Sequence, residues 1–154
     1  MFSTETDEWA TPPETFAALN AEFDFDLDAA ATPENRKCGF YFTQADNALV
    51  RDWTRPGGLE WLEPATVWLN PPYSKCRAFI AKAAEEARKG CTVVCLVYAR
   101  TDTRWFHEHI YDASTNQYRP GVEVRFIKGR LKFGGAKAGA PAPSMVVIFR
   151  PVQP

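Results

Sequence analysis

No stretch of 18 consecutive apolar residues occurs in the 154-residue chain, so it offers no membrane-spanning helix. Glycine-rich phosphate cradles are missing too: there is no Gly-x-Gly-x-x-Gly and no Gly-x4-Gly-Lys-Ser/Thr. Dinucleotide and P-loop chemistry therefore lack their usual backbone support. The four cysteines, Cys38, Cys76, Cys91 and Cys95, form no Cys-x-x-Cys pair. They read as buried free thiols in a reducing compartment, not as metal ligands or disulfides. Only two histidines exist, His107 and His109. Two positions apart on a helix, they point away from each other, so no metal site is expected. No Ser-His-Asp or Cys-His arrangement can be placed. The segment Met1 to Trp9 is acidic and polar, unlike a signal peptide.

Net charge is only −1, which argues against a generic nucleic-acid binder. Its distribution is uneven. Residues 1–73 sum to −9, residues 74–118 to +2 and residues 119–154 to +6. A basic final third on a near-neutral chain fits a local phosphate-binding face, or else a solvated strand edge.

What is present is an alternation of strand and helix patterns. Thr11, Pro12 and Glu14 have the form of a capping box, with Thr11 as N-cap and Pro12 as the first helical residue. Phe16, Leu19, Asn20 and Phe23 follow at helical spacing. Residues Phe23 to Asp28 alternate apolar and acidic, which predicts a strand with one wet face. Gly39 to Thr43 and Thr66 to Leu69 read as further strands. Ser74 is placed to cap a helix over Lys75 to Lys89, stopped by Gly90. Its apolar stripe comprises Cys76, Phe79, Ile80, Ala83, Ala84 and Ala87. Cys91 to Tyr98 is almost wholly apolar, as in a strand buried on both faces of a parallel sheet. A short helix follows Arg100, then strands over Val122 to Ile127 and Met145 to Phe149. A glycine-rich basic loop lies between those two. The pattern predicts an α/β fold with a mostly parallel sheet flanked by helices. A single domain over 1–154 is expected, with 1–8 as a flexible tail and no separate target-recognition domain.

The stretch that organises the rest is Asn70-Pro71-Pro72-Tyr73. Two prolines end the strand, because proline has no N–H and a fixed φ. The loop then stands at the strand's C-terminal edge, where open α/β sheets bind ligands. It offers a carboxamide, a carbonyl and an aromatic ring on a stiff frame. Such a set suits methyl transfer to a planar amine, a reaction that needs positioning more than acid–base machinery. The amine lone pair is delocalised into its ring. Acceptors on its two N–H bonds, the Asn70 side-chain oxygen and the Pro71 carbonyl, draw the nitrogen toward tetrahedral and free that pair. Tyr73 is placed to stack on the ring. A base inside a duplex reaches such a pocket only by flipping out.

Asn70-Pro71-Pro72-Tyr73 has the Asp/Asn/Ser-Pro-Pro-aromatic form of amino-methyltransferases. With Trp9-Ala10-Thr11-Pro12, Leu27-Asp28-Ala29-Ala30-Ala31, Asp46 with Leu49 and Trp53, and Gly129-Arg130-Leu131-Lys132-Phe133 before Ser144, the chain resembles phage-type N6-adenine DNA methyltransferases, a small Dam-like family. The resemblance implies a Rossmann-like S-adenosylmethionine-dependent methyltransferase fold and transfer of a methyl group to the N6 of an adenine flipped from double-stranded DNA. It implies Asn70, Pro71, Pro72 and Tyr73 as catalytic residues. It places Thr11 and Pro12 at the methionine part of S-adenosylmethionine, with Trp9 as a further cofactor-binding residue and Asp28, Ala29 and Ala30 as the first cofactor motif. Asp46 would accept from the cofactor's adenine amine, with Asn47 beside it. Lys75, Arg100, Arg130, Lys132 and Lys137 are the candidate DNA contacts. Two departures stand: the first motif lacks its usual glycines, and no acidic residue follows a second strand to hold the ribose. RNA adenine, a protein glutamine amide, or a decayed binding module are the competing readings. Cytoplasmic action in a bacterial host is expected, and a homo-oligomer is left open.

Overall fold

The computed structural model of the chain describes residues 11–58, 60–133 and 139–152. The expectations for 1–8, Trp9 and Lys137 fall outside them. In order, the elements are α1 (Pro13–Phe23), β1 (Leu27–Asp28), β2 (Phe40–Tyr41), β3 (Thr66–Leu69), α2 (Cys76–Arg88), β4 (Thr92–Tyr98), α3 (Arg104–His109), β5 (Tyr111–Asp112), β6 (Gln117–Tyr118), β7 (Val122–Phe126) and β8 (Ser144–Phe149). Short 3-10 turns cover Ala48–Val50 and Tyr73–Lys75. Six strands form one sheet in the order β2-β1-β3-β4-β8-β7, while β5 and β6 make a separate ribbon. β2, β1, β3 and β4 are parallel, and β8 runs antiparallel to both β4 and β7. The mostly parallel α/β sheet is thus the observed architecture.

Strand period two decides which helix each side chain meets. On β4, Val93, Cys95 and Val97 pack with Phe79, Ile80, Ala83 and Ala87 of α2. Val94, Leu96 and Tyr98 enter the opposite cluster with Leu19 of α1, Phe25 and Trp68. Both faces being covered explains the unbroken apolar run. Helix α2 ends at Gly90, whose φ of +116° disfavours an L side chain and whose added Cβ would lie 2.8 Å from the Pro64 ring.

Three local expectations are corrected. Residues 23–28 are not one strand. Helix α1 runs through Phe23, and Asp24 closes it in the left-handed region at φ +54°, donating its N–H to the Asn20 carbonyl at 2.9 Å. Only Leu27–Asp28 pairs as strand, and both are buried rather than half wet. Thr11 does not cap α1: the helix starts one residue later than expected, Pro12 holds the N-cap and has no side-chain acceptor, and the Thr11 hydroxyl meets a distant partner described below. Ser74 does not cap α2, which starts at Cys76 after the 3-10 turn.

The chain passes from β1 to β2 on one side and from β2 back to β3 on the other. The winding reverses between β1 and β3. Loops leaving the carboxyl ends of these neighbours diverge, and a crevice opens between them.

Candidate active site

Asn70 leaves β3 at that crevice. Pro71 and Pro72 end the ladder, Pro72 keeps extended backbone at φ −61° and ψ 138°, and the Tyr73–Lys75 turn leads into α2. The loop divides two clefts. Asn70, Pro72 and Lys75 line the first, of about 690 Å³ including open solvent, with Ala30 and Ala31 after β1, Asn47 and Leu49 after β2, and Phe79 of α2. Pro71 and Tyr73 line the second, of about 390 Å³, with Tyr98, Arg100 and Trp105. Asn70 and Tyr73 are each half-buried. The Asn70 carboxamide Nδ2 donates to Thr11 Oγ1 at 3.0 Å, and Thr11 itself is 3% exposed.

Tyr73 stacks on Tyr98, with centroids 4.7 Å apart and planes at 25°. Phe133 meets Tyr98 edge-on at 6.3 Å, and the Arg100 guanidinium lies 5.5 Å over the Tyr98 ring. Such ring pairs are worth about 0.5–1.5 kcal/mol each beyond their burial. Phe133, Ala140 and Ala142 are buried anchors of the basic loop, and Pro143 accepts the Ala99 N–H at 2.8 Å. The loop is thereby seated at the end of β4 beside Tyr73. Arg130 and Lys132 are exposed there, although Arg130 also donates to the Ala140 carbonyl at 3.2 Å.

The three arginines elsewhere in the basic third differ. Arg125 is paired with Glu22 at 2.7 Å and Glu123 at 2.6 Å, and Arg150 with Glu123 at 2.5 Å. Arg119 is half-buried. Charge counted along the sequence therefore overstates the positive charge open to a ligand.

Two carboxylates expected at the cofactor motifs turn onto their own loops. Asp28, 3% exposed, accepts from the Ala30 N–H at 3.2 Å and the Lys37 N–H at 3.0 Å. Burial pushes its pKa up to about 6 despite those two donors. Asp46 accepts from the Thr43 N–H at 2.8 Å and hydroxyl at 3.1 Å, which hold its pKa below the ordinary value. Its neighbour Asn47, in the left-handed region at φ +54°, lines the cleft. Ala29 is buried and does not line the cleft. Pro12 is buried at the start of α1. Lys75, expected at DNA, stands on the wall of the first cleft, and Arg100 on that of the second.

Sequence reasoning missed Glu86. It is fully buried, accepts from the Trp53 N–H at 2.8 Å, and pairs with Lys82 at 2.9 Å and Lys89 at 2.7 Å. The Trp53 indole in turn donates to the Ala48 carbonyl at 2.9 Å, and Ala48 lines the first cleft. A signal existed: Glu86 stands seven residues after Phe79, on the apolar stripe of α2, with lysines at i−4 and i+3. Among the described residues, no group of His, Cys, Asp and Glu is arranged to hold a metal ion.

A family model described as DNA N-6-adenine-methyltransferase (Dam) matches residues 1–154. The chain is 32% identical over 162 residues to the DNA N-6-adenine-methyltransferase of Escherichia phage T1, covering 96% of this chain and 64% of that protein. It is 29% identical over 154 residues to the corresponding protein of Haemophilus phage HP1 (strain HP1c1), covering 98% and 83%. The chain thus spans a little under two thirds of the length of the phage T1 relative.

Proposed function

Because the chain belongs to the DNA N-6-adenine-methyltransferase (Dam) family, we propose that it is one catalytic domain that moves a methyl group from S-adenosylmethionine to the N6 of an adenine flipped out of double-stranded DNA. The observation that carries this reading is the Asn70–Tyr73 loop, which divides two clefts at the winding reversal of a parallel sheet.

The first cleft fits the cofactor. Ala30 and Ala31 bring backbone close without side-chain bulk, Leu49 and Phe79 give apolar walls, and Asn47 offers an amide for a polar ring edge. Pro12 and Trp9 belong to the same reading through the family motif. When bound, S-adenosylmethionine supplies a methyl on a positive sulfur that leaves as a neutral thioether. Asn70 Oδ1 and the Pro71 carbonyl accept the two N–H bonds of the adenine amine and hold its lone pair toward that methyl. The lone pair forms the new N–C bond, and one amine proton then leaves to water. Tyr73, braced by Tyr98, stacks the base beside the second cleft. Pro72 keeps the loop from rejoining the sheet. Arg100, Arg130, Lys132 and Lys137 contact phosphates, and Lys75 serves the first cleft. The reaction takes place where DNA is, in the cytoplasm of a bacterial host.

Transfer of tritium from labelled S-adenosylmethionine to duplex DNA, RNA and protein tests the proposal. Label entering duplex DNA as N6-methyladenine is expected; label confined to RNA or protein would sink it. Asn70→Ala should lower turnover at least 100-fold, as expected for a lost transition-state acceptor. Cofactor affinity by calorimetry should stay within about threefold, since a terminal carboxamide is a small part of that contact.

A further inference from the structure

Thr11 lies just before α1, the first helix among the described residues, yet its hydroxyl does not cap that helix. It accepts instead from Asn70 Nδ2 at 3.0 Å, across 59 positions of sequence. Thr11 is 3% exposed, so its end of the bond is shielded from water, while Asn70 is half-buried at the cleft. A carboxamide is nearly symmetric in shape but opposite in role at its two ends: oxygen accepts, NH2 donates. Half a turn about its last torsion exchanges them. An NH2 turned toward the adenine amine would oppose its N–H bonds and compete for its lone pair. In the observed bond the Thr11 hydroxyl accepts on the Nδ2 side, which leaves Oδ1 as the end turned away from Thr11.

We propose that Thr11 is a positioning residue that pins the Asn70 carboxamide with Oδ1 toward the reacting amine. This rests on the reading of Asn70 given above, and it changes the role of Thr11 from cofactor contact to orienter of the loop. The fixed orientation exists before any ligand binds. Its loss lowers the rate of transfer and leaves the cofactor cleft intact.

The test compares Thr11→Val, which keeps the shape and removes the hydroxyl, with Thr11→Ser, which keeps the hydroxyl. Thr11→Val should lower kcat on the order of 10- to 100-fold, the range for a buried partner left unsatisfied. Calorimetric affinity for S-adenosylmethionine should stay within about threefold. Thr11→Ser should restore most of the rate. In the protein without ligand, the Asn70 side-chain amide signals in a 15N spectrum should show slow hydrogen exchange in wild type and Thr11→Ser, and fast exchange in Thr11→Val. The proposal is overturned if Thr11→Val weakens cofactor binding with kcat intact, if the two variants are equally impaired, or if the amide signals are alike in all three proteins. The spectrum reads Asn70 even if DNA is not the acceptor, so failure here is distinct from failure of the proposed activity.

Discussion

Asp28 holds its carboxylate inside the protein, where burial opposes the charge more strongly than the Ala30 and Lys37 N–H groups favour it. Its native pKa of about 6 exceeds the ordinary 3.8 of the unfolded chain. Between these values the native state keeps a proton that the unfolded chain has released. The stabilising contribution is therefore full below pH of about 4 and lost as pH rises through about 6, by roughly 2–3 kcal/mol. Asp28→Asn removes this dependence. Urea unfolding of both proteins across that range should show their stability difference moving in favour of the variant by that amount as pH rises. A difference that stays flat would mean Asp28 ionises in the native state as it does in the unfolded chain.

Helix α2 is held by more than its apolar stripe. Glu86 ties it to the segment of Trp53, and through the indole to Ala48 on the cleft wall. Glu86→Ala leaves the Trp53 N–H without its acceptor and takes from the largely buried Lys82 its nearer carboxylate, with Glu85 remaining at 3.6 Å. The expected loss of stability is about 3–5 kcal/mol by urea unfolding. Cofactor affinity should also fall, since the wall loses its strut; a variant within about 1 kcal/mol of wild type would deny Glu86 that role. The stripe of α2, the doubly buried β4 and the prolines ending β3 were all legible in the sequence, because each is a local pattern. The segment 23–28 misled because a helix end followed by two strand residues mimics alternation. Thr11 misled because the residues for a capping box are present, while the partner that claims its hydroxyl is Asn70, far along the chain. The ribbon of Tyr111–Asp112 and Gln117–Tyr118 is too short and polar to carry a period. Asn47 was reached only through the family resemblance, and the cleft wall of Phe79 depends on strand order, which no local pattern encodes.

For the whole molecule, strand order brings the basic loop to the same edge as Tyr73, while Arg125 and Arg150 are occupied by carboxylates away from it. Replacing Arg130, Lys132 and Lys137 together by Ala should weaken duplex binding and reduce the slope of log affinity against log salt by up to about 3, near 0.9 per lost phosphate contact. Arg125→Ala should leave that slope unchanged. An unaltered slope in the triple variant would move the phosphate face elsewhere.

Tyr73, Tyr98 and Phe133 come from three separate stretches of chain, and they touch in series. A tug on the cationic strap that carries Phe133 reaches Tyr73 through one intervening side chain, Tyr98. On the proposed function, grip on the double helix and readiness to react would be mechanically joined: a slack hold on the backbone would also slacken the platform under the base.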